Sequence, residues 1–435
     1  MDTIQIGVAG VVAMVGLMAI RVPVGIALAL TSLAGIWAAM SFGVAIGMLR
    51  AIPYQFVANF VFTAIPMFLL MGYVASHAGL TSGLFKMMRL MLYRVPGGLA
   101  CSTVGACALF AAASGSSVAT AAAMGKITIP EMRKAGYDDG LATGCVAAAG
   151  TLGSLIPPSI IMVIFGVFTM APIGQLFMAG FLPGILTAVV YAVMIIVRVK
   201  INPSLAPNLK EKPAPGELRA AIADSWPLPV LVAGVIGGIY GGLVTPTEAA
   251  AVGASLACII AVVRGTFNRA MLYAALKDTV IGTSSLFVIA MGASMFAAFM
   301  GLAGLPAVMA EQVLAFSKDP LTLILAISVL YIILGMFIDS LGIILLTLPF
   351  LLPLLNGAHI DLIWFGIIVV KLLEIGLITP PFGMNVFVIH SMMLGAVTLP
   401  TIFKGVGWFI AMEIVVLGLL IAFPAISLWL PSKML

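Results

Sequence analysis

Two proline pairs, Pro157–Pro158 and Pro380–Pro381, interrupt apolar stretches of the chain. A proline lacks an N–H group and clashes with the carbonyl group four residues earlier. The pairs are therefore predicted to free four carbonyl oxygens from helical hydrogen bonds, namely those of Gly153, Ser154, Gly376 and Leu377. Carbonyl oxygens freed inside a membrane can form a cage for Na⁺. Because the spacing Gly-x-x-x-Pro-Pro occurs twice, we predict an ion or substrate site at each break rather than two kinked helices without a ligand.

Small and hydroxyl-bearing residues occupy the middle of two other apolar stretches. Residues 98–131 contain AAASGSSVATAAAMG, and residues 320–357 contain GMFIDSLGI. These sequences favour a turn over a helix core, so each stretch is predicted to be a re-entrant helical hairpin. Hairpin tips present helix ends, whose N–H groups attract anions such as a carboxylate. The candidate tip residues are Ser114, Gly115, Ser116 and Ser117 in the first hairpin, and Asp339, Ser340 and Gly342 in the second.

Each proline break closely follows a hairpin in the sequence, so the two are expected to be neighbours in space. We expect Ser114–Ser117 to face Thr151–Ser154, and Asp339–Gly342 to face Glu374–Thr379. Hydroxyl groups at these places could bind either a cation or an organic anion. The candidate residues at the breaks are Thr151, Gly153, Ser154, Pro157, Glu374, Gly376, Thr379 and Pro380.

Six charged residues lie inside apolar stretches: Lys126, Glu248, Asp339, Lys371, Glu374 and Glu413. A charge at the centre of a bilayer costs about 2.5–3.5 kcal/mol on insertion scales, so each needs a partner or a function. We predict that Asp339, at a tip, and Glu374, at a break, support the binding site. Lys126 is compatible with two roles, contact with a substrate carboxylate or snorkelling of its ammonium group to the cytoplasm.

The other three charges have structural explanations. Lys371 lies one helical turn before Glu374, and the two side chains are predicted to pair. Glu248 follows Thr-Pro-Thr at a helix start, where a carboxylate stabilises the first turn. Glu413 is predicted to contact another helix or another subunit.

The composition assigns the chain to a membrane. Of 435 residues, 63% are hydrophobic and 8% are charged, and the mean hydropathy is +1.25, whereas a soluble domain has about 25% charged residues. This excludes a soluble enzyme, and the continuous apolar runs exclude a lipid-facing β-barrel. We predict an all-α polytopic membrane protein. Because the sequence lacks Gly-x-x-x-x-Gly-Lys-Ser/Thr, Gly-x-Ser-x-Gly and His-Glu-x-x-His motifs, we expect no ATP hydrolysis, no hydrolase activity and no organic cofactor.

The basic residues fall in short loops, which the positive-inside rule explains without a nucleic-acid partner. The polar segment 199–224 and the basic loops on either side of residues 98–131 are predicted to be cytoplasmic. The first hairpin then starts and ends on the cytoplasmic side. Residues 320–357 open on the opposite side, and two hairpins that enter from opposite faces indicate an inverted repeat.

The sequence itself supports a repeat with an offset near 220. GSLIPPS at 153–159 aligns with GLITPPF at 376–382, and Pro23 aligns with Pro246. Internal inverted repeats are a recurring architecture of secondary transporters. The predicted units are a first repeat at 1–198 with a broken helix at 140–170, a cytoplasmic linker at 199–224, and a second repeat at 225–435 with a broken helix at 361–392.

Four segments resemble the large membrane subunit of TRAP transporters, the tripartite ATP-independent periplasmic family. They are AAASGSSVATAAAMGKITIPEMRKAGYD (111–138), GTLGSLIPPSIIMVIFG (150–166), GLVTPTEAAAVGA (242–254) and GLITPPFGMNVFVI (376–389). The resemblance covers essentially the whole chain, and the combination of motifs is specific. It implies a multi-pass protein of a bacterial inner membrane that imports small organic acids with Na⁺ as the coupling ion.

The resemblance also implies partners and a mechanism. The expected partners are a small four-helix membrane subunit and a periplasmic substrate-binding protein, and the fold would be of the elevator type, with a scaffold and a mobile transport domain. The unwound segments would be Thr151–Pro157 and Gly376–Asn385, which adds Asn385 to the candidate residues. Because the chain begins at its first large-subunit helix, we expect the small subunit to be a separate chain. C4-dicarboxylates, keto acids, sugar acids and sialic acids all remain candidate substrates.

Other functions compete with that of a Na⁺/organic-acid symporter subunit. A stand-alone ion-coupled antiporter or exporter of organic anions from the same superfamily would need no binding protein. An ion channel is a second alternative, although two occluding hairpins favour alternating access over an open pore. A membrane scaffold without transport activity gives no reason for two broken helices.

Overall fold

The computed structural model describes residues 2–207, 214 and 216–433, and in these ranges all regular structure is helical. Residues 208–213 and 215, in the predicted linker, lie outside the described residues, as do Met1 and residues 434–435 at the ends of the predicted repeats. The helices of the first repeat are α1 (Thr3–Ala19), α2 (Val24–Ala39), α3 (Phe42–Ala58), α4 (Ala64–His77), α5 (Ser82–Met91), α6 (Gly98–Ser114), α7 (Ser117–Lys134), α8 (Asp139–Leu155), α9 (Ile160–Thr169) and α10 (Ile173–Ile201).

The remaining helices follow the predicted linker or lie within it. They are α11 (Glu217–Asp224), α12 (Pro227–Tyr240), α13 (Pro246–Val263), α14 (Arg269–Ala303), α15 (Leu305–Phe316), α16 (Pro320–Gly335), α17 (Ser340–Gly357), α18 (Leu362–Ile378), α19 (Met384–Met392), α20 (Leu399–Ala422) and α21 (Ala425–Leu428). Among the described helices, seven are long and apolar enough to cross a membrane, or eight if the bent pair α11 and α12 counts as one span. The expectation of a polytopic α-helical membrane protein is therefore confirmed.

The helices recur at a nearly constant distance along the chain. α7 and α17 begin at Ser117 and Ser340, 223 residues apart, and α8 and α18 begin at Asp139 and Leu362, also 223 apart. The same order holds, with starts 222 to 226 residues apart, for α1 and α12, α2 and α13, α5 and α15, α6 and α16, α9 and α19, and α10 and α20. This spacing agrees with the repeat offset seen in the sequence. The opposite orientation of the two halves stays a prediction.

Packing divides most helices into two groups. In the first group α2 and α4 pack against α14, and α4 also packs against α13. α1 packs against α2, and α12 packs against α13. In the second group α8 packs against α6, α7 and α20, while α18 packs against α16, α20 and α8. The groups meet where α4 contacts α6 and where α14 contacts α17. Both hairpins and both broken helices therefore lie around one centre.

Matching caps begin the two broken helices. Asp138 accepts a hydrogen bond from the N–H of Leu141 at 2.8 Å at the start of α8, and Asp361 accepts one from Trp364 at 2.8 Å at the start of α18. An aspartate in this position satisfies an N–H group that has no partner within the helix. Asp138 and Asp361 are 223 residues apart, so the local signal that starts each helix is itself repeated.

Three short helices are not anticipated by the hydrophobic pattern. They are α5, α11 and α15, which have 10, 8 and 12 residues. About 20 apolar residues are needed to cross a bilayer, so a search for spans assigns these segments to loops. α5 and α15 each precede a hairpin, and α11 packs against α5.

Ion pairs join the segments that were predicted to be cytoplasmic. The pairs are Arg89 with Glu131 (3.2 Å), Lys86 with Glu217 (3.8 Å) and Arg264 with Asp224. Arg89 precedes the first hairpin and Glu131 lies in its last helix, so both ends of the hairpin lie on one face of the molecule. This is the arrangement that a re-entrant hairpin requires.

Single cysteines test this topology. Arg94→Cys and Lys134→Cys should react with a membrane-impermeant maleimide only from the cytoplasmic side, and Lys318→Cys only from the periplasmic side. Lys134 is preferable to its neighbour Gly136, whose φ of +79° disfavours a side chain. The unmutated chain is the control for background labelling, because Cys258 is partly exposed while Cys101, Cys107 and Cys145 are buried. Labelling of residues 94 and 134 from opposite sides would show that the stretch 98–131 crosses the membrane.

Candidate functional site

The first hairpin tip is a two-residue connection between α6 and α7. Gly115 has φ +62°, a left-handed conformation that suits glycine. Ser116 caps α7, and its Oγ accepts a hydrogen bond from the N–H of Ala119 at 3.4 Å. The N-terminus of α7, with its partial positive charge, therefore lies at the tip.

Oxygen atoms crowd this tip. The hydroxyl oxygens of Ser114 and Thr120 are 2.5 Å apart, and the Thr120 hydroxyl also donates to the carbonyl of Ser116 at 2.9 Å. Gly153 of α8 packs directly on this group, because a Cβ at Gly153 would lie 2.5 Å from both the Ser116 carbonyl oxygen and Thr120 Oγ1. The absence of a side chain at Gly153 lets the α8 backbone reach the tip.

Ser117 joins the tip to the first broken helix. Its hydroxyl donates to Ser154 Oγ at 2.8 Å and lies 3.2 Å from the carbonyl oxygen of Thr151. In addition, the N–H of Ile160, at the start of α9, donates to the carbonyl of Gly115 at 3.3 Å. The structure thus brings the tip against Thr151 and Ser154, as the sequence order predicts.

The first break is shorter and later than the resemblance implied. The predicted unwound segment was Thr151–Pro157, but α8 stays helical to Leu155 and the break covers residues 156–159. The reason is that the missing N–H groups of the prolines affect only the last turn, whose carbonyl groups have no helical partner in any case. The carbonyl of Ser154 is not left open, because the hydroxyl of Ser159 donates to it at 2.5 Å.

The second tip carries a charge. Asp339 caps α17, and its Oδ2 accepts hydrogen bonds from the N–H groups of Leu341 and Gly342, each at 3.2 Å. At the end of the other hairpin helix, Gly335 packs backbone to backbone on Gly376 of α18, where an added Cβ would lie 2.7 Å from the Gly335 Cα. Close packing of glycine backbones therefore joins this hairpin to its broken helix.

The second break is also shorter than implied. The predicted unwound segment was Gly376–Asn385, but α18 stays helical to Ile378 and α19 begins at Met384, which leaves residues 379–383 as the break. The Thr379 hydroxyl donates to the carbonyl of Ile375 at 2.6 Å, so it continues the pattern of the last helical turn. Asn385 is buried in α19 and donates from Nδ2 to the carbonyl of Ala147 in α8 at 3.1 Å. Pro157–Pro158 and Pro380–Pro381 are both cis.

The two tips line one cavity of about 300 Å³. Gly115–Ser117 lie on one wall, and Asp339 and Ser340 lie on another. The first packing group completes the wall through Leu69, Tyr73, Gly282, Ser285 and Leu286. A second cavity of about 220 Å³ lies behind the second tip, and Asp339 and Leu377 line both. Small-molecule sites are typically concave, about 300–1,000 Å³ in volume, and largely apolar with a few polar groups.

Some predicted residues lie away from the cavity. Lys126 is exposed on α7, nine residues or about 14 Å of helix beyond Ser117. Glu248 forms a capping box with Thr245, whose N–H and hydroxyl lie 2.8 and 2.9 Å from Glu248 Oε2, so the interpretation as helix-start stabilisation is confirmed. Pro380 is exposed beside the second break.

Glu374 belongs to a buried cluster of charges rather than to the cavity wall. The Lys371 ammonium lies 2.9 Å from a carboxylate oxygen of Glu374 and 2.5 Å from one of Glu413, and none of the three side chains is exposed. The predicted pairs of Lys371 with Glu374 and of Glu413 with another helix are therefore confirmed. Thr187 and Tyr191 of α10 also join the cluster, and the sequence analysis did not identify them. The sequence feature that could have identified Thr187 and Tyr191 is their spacing of four residues, which places both on one face of an apolar helix.

Several relatives of the chain are named as transporter permeases. It is 34% identical over 425 residues to the sialic acid TRAP transporter large permease protein SiaM of Vibrio cholerae, and the match covers 97% of each chain. It is 36% identical over 374 residues to the isethionate TRAP transporter permease protein DctMQ of Oleidesulfovibrio alaskensis. That match covers 85% of this chain and 58% of the relative. The ectoine TRAP transporter large permease protein TeaC of Halomonas elongata is 32% identical over 427 residues, or 97% of each chain.

A solved structure has the same fold. The YdaH transporter of Alcanivorax borkumensis superposes with a TM-score of 0.60 over 89% of this chain and 90% of that one, at 16% sequence identity. The relatives are transport proteins rather than enzymes and are located in the inner membrane, and the same holds for this chain. The family model for the tripartite ATP-independent periplasmic transporter, DctM component, matches residues 11–426. The chain therefore belongs to the TRAP transporter family as a large permease subunit.

Proposed function

We propose that this permease imports a small organic acid together with Na⁺, and that the cavity between the two hairpin tips holds the substrate. The observation that carries the proposal is the meeting of both tips in that cavity, each backed by a broken helix. A continuous pore does not require two hairpin tips that meet at one cavity. Alternating access does require such an arrangement, because the binding site must be closed first on one side of the membrane and then on the other.

The first tip offers the ligands that Na⁺ prefers. Its hydroxyl and carbonyl oxygens, from Ser114, Ser116 and Thr120, lie beside the bare backbone of Gly153 and the carbonyl of Thr151. Hard cations bind oxygen ligands of this kind. We place one Na⁺ here, held by the first tip and the end of α8.

We place a second Na⁺ at the second tip, where a carboxylate is available. The side chain of Asp339 and the end of α18 at Leu377 line the same two cavities. The carbonyl oxygens of Gly376 and Leu377, predicted from the proline pair, would be the main-chain ligands. The carbonyl of Gly376 also accepts the N–H of Thr379 at 3.3 Å, so one of its lone pairs is already used.

The substrate is proposed to be an organic anion. The N-terminus of α7 lies at the first tip and the N-terminus of α17 at the second, and helix N-termini attract negative charge. Sialic acid, isethionate and C4-dicarboxylates, for which relatives are named, all carry an acidic group. The cavity wall is otherwise largely apolar, which suits the carbon skeleton of a small acid.

The two packing groups suggest how the cavity changes sides. We propose that the group built around α8 and α18 moves as one body against the group that contains α2, α4, α13 and α14, in the manner of an elevator. A small four-helix membrane subunit would attach to the stationary group, and a periplasmic binding protein would deliver the substrate. A stand-alone antiporter would transport without either partner, so omission of the binding protein distinguishes the two functions.

Transport should follow the Na⁺ gradient. The chain, reconstituted in proteoliposomes with its two partners, should accumulate substrate when Na⁺ is higher outside, with no ATP present. Uptake should stop when external Na⁺ is replaced by K⁺ at equal ionic strength, because the oxygen cage fits the smaller ion. Uptake of equal rate without a Na⁺ or H⁺ gradient would refute the proposal.

The hydroxyl of Ser117 should matter for Na⁺ binding. Ser117→Ala removes the donor to Ser154 Oγ and to the Thr151 carbonyl, and the loss of such a hydrogen bond costs about 0.5–1.5 kcal/mol. We expect an apparent Na⁺ affinity roughly 2- to 13-fold weaker, measured by Na⁺ titration of uptake. Ser328→Ala is the matched control, since Ser328 is equally buried but bonds to the Ile324 carbonyl of its own helix. Unchanged Na⁺ affinity in Ser117→Ala would favour a packing role for the small residues.

Asp339→Asn separates the charge of Asp339 from its role as a cap. Asparagine caps helices as well as aspartate does, so the variant should express and melt like the unmutated chain. If the charge holds Na⁺ at the second tip, the Na⁺ dependence of uptake should weaken at least about tenfold. Asp361→Asn, which changes the matching kind of cap at the start of α18, should leave the Na⁺ dependence unaltered. Normal Na⁺ affinity in Asp339→Asn would limit Asp339 to capping.

A further inference from the structure

Arg198, in the last turn of α10, is held against α20 by an aromatic ring. Its guanidinium carbon lies 5.0 Å from the centre of the Trp408 ring, and a guanidinium in this position is attracted to the face of the indole. Nη1 of Arg198 is buried and has no hydrogen-bond partner among the described residues. No ion pair in the described part of the chain includes Arg198. A positioned guanidinium without an anionic partner therefore lies at the end of α10.

Two lysines add positive charge near the same level of these helices. Lys404 is one helical turn before Trp408, so the two side chains project from the same face of α20. Lys200 follows Arg198 by two residues. Both lysines are exposed, and neither is in an ion pair within the described ranges. Because the predicted cytoplasmic linker follows α10, the three cations are predicted to lie at the level of the cytoplasmic lipid headgroups.

The acidic residues near this group do not cancel its charge. Asp138 interacts electrostatically with Arg198, and its Oδ1 accepts the N–H of Leu141 at 2.8 Å as the cap of α8. Asp139 is paired with Arg133 at 2.8 Å. The three cations are therefore accompanied by one carboxylate that has no ion-pair partner among the described residues, and positive charge remains in excess.

Exposed apolar side chains continue from the cations toward the centre of the membrane. Val193 and Val197 precede Arg198 on α10 and are 54% and 49% exposed, while Trp408 and Val415 of α20 are 52% and 48% exposed. The two helices pack against each other, and each is long and apolar enough to cross a membrane. The surface of this helix pair therefore combines a basic end with an apolar length, which is the pattern of a phospholipid turned around.

We propose that the membrane-facing surface of α10 and α20 binds one anionic phospholipid of the cytoplasmic leaflet. The phosphate lies between Arg198 and Lys404, and the acyl chains lie along Val193, Val197 and Val415. Trp408 positions the guanidinium and also contacts the start of an acyl chain. This inference concerns a lipid site outside the cavity between the hairpin tips, and it does not depend on the proposed Na⁺ coupling.

The chemistry of the cations favours an anionic lipid over a zwitterionic one. A guanidinium binds two phosphate oxygens in a planar fork, and an ammonium adds a point charge. Phosphatidylglycerol brings one negative charge and no positive charge to this place. Phosphatidylcholine has the same phosphate, but its choline would lie beside Lys404 and the other cations. Basic clusters at the cytoplasmic ends of membrane helices attract anionic lipids for this reason.

The positive-inside rule alone gives a different expectation. Under that rule Arg198, Lys200 and Lys404 only set the orientation of the chain, and any exposed cytoplasmic cation would attract anionic lipid to the same extent. There would then be no saturable site, and removal of a cation elsewhere on the cytoplasmic face would have an equal effect. Whether one lipid is bound, and whether its affinity depends on these particular cations, distinguishes the two accounts.

Native mass spectrometry of the unmutated permease measures the number of bound lipids. The purified protein is titrated in detergent with phosphatidylglycerol, and separately with phosphatidylcholine that has the same acyl chains. We expect one phosphatidylglycerol to bind at least about fivefold more tightly than phosphatidylcholine. Inorganic phosphate should not displace it, because free phosphate lacks the contacts along the apolar side chains. Equal binding of the two lipids, or displacement by phosphate, would overturn the proposal.

Charge-removing variants locate the lipid. Arg198→Gln and Lys404→Gln should each weaken phosphatidylglycerol binding about fivefold and leave phosphatidylcholine binding unchanged. Arg269→Gln is the matched control, since Arg269 is exposed at the start of α14, in a loop also predicted to be cytoplasmic. An equal loss in Arg269→Gln, or no loss in Lys404→Gln, would overturn the proposal. Lys404 is exposed, so its variant decides the outcome even if Arg198→Gln does not fold.

Discussion

A helix that breaks inside a membrane leaves peptide groups that lipid cannot hydrogen-bond, and protein must satisfy them. In this permease the first hairpin tip and a hydroxyl group of the break itself do so. The N–H of Ile160 after the break donates to the carbonyl of Gly115, while the hydroxyl of Ser159 donates to the carbonyl of Ser154 before it. The tip therefore accepts a hydrogen bond that the break cannot satisfy by itself, and the same hydrogen bond holds the tip in place. Beside this contact lie the oxygens of Ser114, Ser116, Thr120 and Thr151, to which we assign Na⁺.

The two halves share an order of helices but differ in where they place negative charge. In the second half a carboxylate, Asp339, lies at the tip itself and lines both cavities. In the first half the tip residues carry only neutral groups, and the carboxylate of Glu374 lies two hydroxyl groups behind the tip. A cation at either tip would have one negative charge within reach.

The sequence alone predicted the features that depend on local chemistry. Small residues at 114–117 indicated a hairpin turn, the proline pairs indicated breaks, and the spacing of Lys371 and Glu374 indicated an ion pair. The extent of the breaks could not be predicted. α8 stays helical to Leu155 and α18 to Ile378, because the prolines remove N–H donors only after the last helical turn. The sequence also could not assemble the buried cluster, because Tyr191 and Glu413 come from helices that tertiary packing alone makes neighbours.

A cryo-electron microscopy map of the permease with its partners, in Na⁺ and with substrate bound, would locate the substrate and the cation. We expect the organic anion between Gly115–Ser117 and Asp339–Ser340, with density for a cation among the oxygens of the first tip. This density should disappear in a matched map in which K⁺ replaces Na⁺. Substrate bound outside the cavity between the two tips, or an open pore that passes between them, would refute the proposed site.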